Sequence, residues 1–220
     1  LVRKLSRGVL IVFEGIDGSG KTTQILNVAQ SLKKYKYHVT VTHEPTNNSK
    51  WGQLIHNKVL RKYRVEIPPE TELEWYIKDR KWDLETNILP ALEKKDLVLV
   101  DRYYLSNAAY QGALETFTLE YILEQNSFAL KPDLWIIFDV TVQLGQARLC
   151  TRDKRQQDDP LEKADYQEKV RQNYNKLTKM DIGGKVKFVD ASGGEEELTE
   201  TLTTIILDFL KNFLKTEEAK

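Results

Sequence analysis

The sequence predicts an α/β fold of three layers, a central five-stranded parallel sheet flanked by helices. Apolar, β-branched runs of strand length recur five times, and segments of helical period separate them. Short strands separated by helices imply a parallel sheet covered on both faces. No repeat or low-complexity linker interrupts the pattern, so residues 1–220 read as a single domain.

The first run is Val9–Phe13. After it, Ile25, Val28, Ala29 and Leu32 keep the i, i+3, i+4, i+7 spacing of an amphipathic helix. His38–Thr42 is the second run. Leu73, Ile77, Leu84 and Ile88 stripe a long helix that Pro90 should end or kink, since proline lacks an amide hydrogen and crowds the preceding turn. Leu97–Val100, Leu134–Phe138 and Val186–Val189 supply the remaining strands. Between the last two, the charged stretch Arg152–Lys163 reads as a mobile loop, followed by a helical segment, Leu161–Met180. Leu198, Leu202, Ile205, Phe209 and Phe213 stripe a C-terminal helix, read as core packing.

Composition narrows the partners. Lys+Arg and Asp+Glu both number 33, which argues against a chain-wide polyanion binder and so against a nucleic-acid partner. No apolar run approaches the roughly 20 residues of a membrane span. The basic start Leu1–Gly8 is followed by too short an apolar run for a signal peptide, and Glu14 interrupts it. The single Cys150 cannot form an internal disulfide, which fits a cytoplasmic location, and it reads as a small buried apolar residue.

Gly15-Ile16-Asp17-Gly18-Ser19-Gly20-Lys21-Thr22 matches G-x-x-x-x-G-K-[ST] in full, between a strand and an amphipathic helix. Such glycines allow a nest of inward N–H groups, and the helix start adds positive dipole. Gly15, Asp17, Gly18, Ser19, Gly20, Lys21, Thr22 and Thr23 are therefore candidates for holding ATP, with Thr22 offering its hydroxyl to Mg²⁺. This places the fold among P-loop NTPases. A GTPase needs N-K-x-D, and Asn57-Lys58 and Asn175-Lys176 both lack the Asp. An ABC-type signature is expected ahead of the Walker B strand, whereas Ser192-Gly193-Gly194 follows the last strand. Kinases remain, with a slow ATP-hydrolysing switch as the alternative of another class.

Asp101 ends the third run and Arg102 follows it. A carboxylate at the C-terminal edge of a parallel strand can hold Mg²⁺, and the guanidinium can clamp a phosphate bidentately. Asp139, ending the fourth run, is the lower-ranked rival for the metal.

Several of these segments together resemble thymidylate kinases: Phe13–Gln24, Glu44-Pro45, Asp101-Arg102-Tyr103, Ser106–Gly112 and Lys131-Pro132-Asp133, in that family's order, with Asp190–Gly194 similar to its adenine-side loop. The resemblance implies transfer of the ATP γ-phosphoryl group to dTMP, with a kinase for another nucleoside monophosphate or a nucleoside as the alternative. It implies that Tyr76 stacks on the base and Arg80 reads its edge. Asn107 and Gln111 line the pyrimidine, Tyr110 crowds the sugar 2′ position, and Asp17 approaches the 3′-hydroxyl or a metal-bound water. The loop carries no Arg between Gly15 and Gly20, so the implied catalytic cations sit in a lid at about 150–163, with Arg152 and Arg155 the choices and Arg148 beside them. Lys21, Arg102 and Asp17 complete the expected catalytic set. His43 stands where the family often has Arg before Glu-Pro, and Pro160 replaces a lid Arg. A homodimer is implied as well.

Overall fold

The computed structural model describes residues 5–60, 66–152 and 163–218. Its sheet has five parallel strands: β1 (Val9–Gly15), β2 (Val39–His43), β3 (Leu97–Asp101), β4 (Leu134–Asp139) and β5 (Lys185–Asp190), in the order β2-β3-β1-β4-β5. Every residue of β1 and β3 is buried, including the carboxylates Glu14 and Asp101 at their C-terminal ends. The edge strand β5 is mostly exposed and carries Lys185 and Lys187, charges that discourage further edge pairing.

The helices are α1 (Lys21–Lys34), α2 (Lys50–Leu54), α3 (Pro69–Asp83), α4 (Leu89–Glu93), α5 (Tyr104–Gly112), α6 (Leu119–Gln125), α7 (Val142–Arg152), α8 (Ala164–Leu177) and α9 (Glu195–Glu218). Helix α1 packs on β1–β3 and against α9, while α5 packs on β1 and against α3, α6 and α8. Each strand is one or two residues longer at its C-terminal end than its apolar run: Glu14 and Gly15, His43, Asp101, Asp139 and Asp190 are the added residues, and Gly15 and Asp101 among them belong to the site. After β1 the chain turns to one side of the sheet and after β4 to the other, so a crevice opens at the C-terminal strand ends.

Of the two outcomes expected at Pro90, the helix does not end there; the helical path is disturbed before it by a π turn, Leu84–Ile88, whose wider ring accommodates the proline, and runs on to Glu93. Two expectations need correction. Along α9 the buried apolar residues are Leu198, Leu202, Ile206 and Leu210, with Ile205, Phe209 and Phe213 only partly covered on the flank. Cys150 is exposed, since Leu149 takes the inward position on α7. The segment 153–162, most of the expected lid, lies outside the described residues. No described helix is long and apolar enough to cross a membrane.

Candidate active site

The loop after β1 is shaped by backbone contacts that exclude side chains. Gly15 has φ 145°, and a Cβ there would lie 2.7 Å from the Phe138 carbonyl oxygen. Gly18 has φ 72°, and its Cβ would meet the Gly145 carbonyl oxygen at 2.1 Å, so α7 closes directly on the loop. Lys21 is nearly buried and donates to the Ile16 carbonyl at 2.8 Å and Ser19 Oγ at 3.1 Å. Burial, then the nearby Arg102 charge, lower its pKa from 10.5 to about 8.

Thr22 Oγ1 donates to Asp101 Oδ2 at 2.6 Å. The second oxygen, Asp101 Oδ1, is buried with no hydrogen-bond partner among the described residues. A hydroxyl beside a carboxylate with an uncommitted oxygen fits Mg²⁺, which takes one or two protein oxygens and fills the rest with water and phosphate. Asp139 instead accepts from Arg171 Nε at 3.1 Å and lines a different hollow with it.

Arg102 leaves the end of β3 with φ 68°, its amide bonded to the Phe13 carbonyl. Its guanidinium meets Asp17 Oδ1 at 2.5 Å, the Gly15 carbonyl at 3.2 Å, Ser106 Oγ at 3.0 Å and Tyr110 OH at 3.3 Å. Burial acts to raise the Asp17 carboxyl, but Arg102 and then Lys21 outweigh it and hold the group below its usual range. Helix α8 completes the contact: Gln167 Nε2 donates to Asp17 Oδ2 at 3.1 Å, and Tyr166 OH donates to the Tyr110 carbonyl at 2.7 Å.

Two clefts meet at Asp17 and Arg102. One is lined by Asp17 to Gln24, including Thr23, and by Arg148, Leu149, Thr151, Gly193 and Glu195. Arg148 donates from Nη1 to the Ala191 carbonyl at 2.9 Å, tying α7 to the loop before α9. The other cleft is lined by Tyr76, Arg80, Asn107, Tyr110 and Gln111 together with Glu44, Pro45, Glu72, Tyr103 and Tyr166. Arg80 is 1% exposed and bonds Glu44 Oε2 at 2.5 Å and Asn107 Oδ1 at 3.3 Å. Burial raises the Glu44 carboxyl well above its usual value, with Arg80 opposing.

The structure thus brings together Asp17, Lys21, Thr22, Thr23, Asp101, Arg102 and Arg148, and gathers Tyr76, Arg80, Asn107, Tyr110 and Gln111 across Arg102. Arg152 closes α7 but its side chain, like all of Arg155, lies outside the described residues. His43 Nε2 sits 3.1 Å from Asn47 Nδ2 and lines neither cleft. Sequence reasoning gave no role to Glu14, Glu44, Tyr166, Gln167 or Asn126. Glu14 left a signal as an acid that interrupts an apolar run, and Glu44 as part of the Glu44-Pro45 motif. Glu14 is fully buried, accepts the backbone N–H of Tyr103 (2.9 Å) and Ser106 (3.1 Å), and so caps α5 from a neighbouring strand.

The model of the thymidylate kinase family matches residues 13–202. A probable thymidylate kinase of Archaeoglobus fulgidus is 42% identical over 203 residues, 92% of this chain and 96% of that protein. One of Pyrococcus abyssi is 37% identical over 203 residues, covering 91% and 96%. The thymidylate kinase of Desulfotalea psychrophila is 42% identical over 171 residues, covering 78% and 82%.

Proposed function

The chain belongs to the thymidylate kinase family, and from that premise we propose that it transfers the γ-phosphoryl group of ATP to dTMP, giving ADP and dTDP. The observation that carries the reading is the meeting of two unlike clefts at Asp17 and Arg102. A donor nucleotide lies along the glycine loop, and an aromatic-lined acceptor cleft ends beside the same arginine.

In this reading an oxygen of the acceptor 5′-phosphate attacks the γ-phosphorus, and the bond to the bridging β-oxygen breaks in line. No general base is needed, because the acceptor phosphate is already ionised at neutral pH. Lys21 turns from Ile16 and Ser19 to the β- and γ-phosphates. Thr22 and Asp101 would hold Mg²⁺, which when bound neutralises charge on those phosphates. Arg102 orients the acceptor phosphate, with Asp17 and Ser106 fixing its guanidinium. Tyr76 and Arg80 engage the base, Asn107 and Gln111 its edge, and Tyr110 restricts the sugar. Arg148 flanks the adenine, and Arg152 and Arg155 neutralise the transferring group from a lid at about 150–163. The reading includes a single domain acting in the cytoplasm as a homodimer.

The test is a steady-state comparison of dTMP, dUMP, dCMP, UMP and thymidine with ATP and Mg²⁺. The highest kcat/KM belongs to dTMP. A preference for any other acceptor refutes the assignment.

A further inference from the structure

Asn126, the residue that follows α6, lines neither cleft and is 3% exposed. Its side chain is nonetheless the far end of a buried chain of amides that reaches the acceptor cleft. Asn126 Oδ1 accepts from Arg80 Nη1 in a short contact, and Asn126 Nδ2 donates to Asn107 Oδ1 at 3.2 Å and to the Ile122 carbonyl at 2.8 Å. Asn107 Oδ1 also accepts from Arg80 Nη1, at 3.3 Å, and Asn107 Nδ2 donates to Gln111 Oε1 in a second short contact.

The direction of this chain is forced by chemistry. A guanidinium only donates, so the Asn126 oxygen faces Arg80 and its NH₂ faces Asn107. With its oxygen held by that NH₂, and by Arg80 at 3.3 Å, Asn107 offers Gln111 N–H. Gln111 then accepts through Oε1, which leaves its NH₂ as the terminal donor of the chain, on a residue that lines the cleft. Arg80 Nε is likewise buried with no acceptor among the described residues. Gln111 Nε2 and Arg80 Nε therefore present donors, beside the uncommitted acceptor Glu44 Oε1. An oxygen at position 4 of a pyrimidine accepts from these donors, and an amino group there does not.

We propose that Asn126 is a positioning residue that sets the hydrogen-bond polarity of the acceptor cleft through Arg80, Asn107 and Gln111, and so imposes discrimination between 4-oxo and 4-amino pyrimidine nucleotides. The proposal rests on the acceptor cleft being the nucleotide-binding site described above. Exchanging Asn126 for an acceptor-only group reverses the chain. A carboxylate there still accepts from Arg80 but cannot donate to Asn107. The Asn107 amide then turns its NH₂ to the new carboxylate and its oxygen to Gln111, and Gln111 turns its own oxygen to the cleft.

The experiment compares kcat/KM for dTMP and 5-methyl-dCMP, which share the methyl group and differ at positions 3 and 4, in wild type, Asn126→Asp and Asn126→Ala. The ratio of two acceptors on one preparation cancels its folded fraction, so a merely structural role leaves it unmoved. The wild type should favour dTMP by at least about a hundredfold, since a site built to hydrogen-bond its substrate rejects a mismatched analogue more strongly than an apolar pocket does. Asn126→Asp should lower that ratio at least tenfold, with dTMP losing and 5-methyl-dCMP gaining. Asn126→Ala should raise KM for dTMP with kcat and KM for ATP within about twofold. A wild-type ratio under threefold overturns the inference without any variant, as does an unchanged ratio in both variants, and both results leave dTMP phosphorylation standing. Absence of dTMP turnover in the wild type overturns the functional reading and the inference with it.

Discussion

At the scale of single residues, Lys21 illustrates how position alters chemistry. Its ammonium is held among backbone carbonyl, hydroxyl and arginine in a nearly water-free loop, and titrates near 8. The polyphosphate of ATP favours the charged form, so ATP binding takes up the missing proton wherever the free lysine is neutral. Affinity should be level below pH 8 and should weaken about tenfold per pH unit between 8 and 9.5. Calorimetric titration over that range checks it, and a Lys21→Met variant should bind weakly with no such slope. The lid arginines differ in kind, because a cation that meets only the transferring group acts on rate. Arg152→Ala should lower kcat by at least a hundredfold while leaving ATP affinity within about threefold. An unchanged kcat removes Arg152 from the catalytic set. Lys21 and Thr22 were legible in the sequence because a contiguous loop writes its chemistry in order. Tyr166, Gln167 and Asn126 were not, since each acts through a partner 19 to 150 positions away, and no local pattern marks such a pair.

At the scale of elements, β1, β3 and β4 were read closely because parallel strands buried on both faces leave continuous apolar runs. Helix α3 was read only in part. Its apolar stripe was visible, but Asp79, Arg80 and Asp83 are also buried, and they organise the segment after β2. Asp79 accepts from the Thr46 amide at 2.7 Å and Thr46 Oγ1 at 2.6 Å, and also from Ser49 Oγ. Asp83 accepts from Thr42 Oγ1 at 2.7 Å. These carboxylates substitute for secondary structure in the stretch that carries Glu44 and Pro45 to the acceptor cleft. Asp79→Ala should cost about 3 kcal/mol in urea unfolding, because it strands buried donors that had charged acceptors. It should raise KM for dTMP well before KM for ATP, since the glycine loop lies on another strand. Equal effects on both would place the role of Asp79 in global stability alone. The π turn before Pro90 escaped sequence reading for a simpler reason: proline announces a disturbance, and packing chooses its form.

At the scale of the molecule, one carboxylate joins the elements that line both clefts. Glu14 lies on β1 directly before the glycine loop. It caps α5, which carries the acceptor-side amides, and accepts from Tyr174 OH on α8 at 2.9 Å and Ser106 Oγ at 2.5 Å. Both clefts and the helix beyond the expected lid are thus referenced to a single buried group. Burial raises the Glu14 pKa above its usual 4.5, with the Ser106 hydrogen bond and Arg102 opposing. A raised carboxyl pKa means that the folded chain retains its proton where the unfolded chain has released it. Above pH 4.5 this group therefore removes stability as pH rises, until the folded carboxyl has also ionised. Glu44 and Asp83 are shifted in the same direction, so the total pH dependence does not isolate Glu14. A substitution does. Glutamine keeps an oxygen for the Tyr103 and Ser106 amides and offers N–H to the two hydroxyls, which can rotate to accept it. Measured by urea unfolding at a series of pH values from 4.5 upward, Glu14→Gln should gain on the wild type as pH rises and then hold level. Glu14→Leu should instead lose about 3 kcal/mol or more at every pH, because the α5 amides and both hydroxyls are left unpaired. A Gln variant that tracks the wild type at a constant offset would show that Glu14 does not titrate in the folded chain, and that its role is the fixed geometry of the cap.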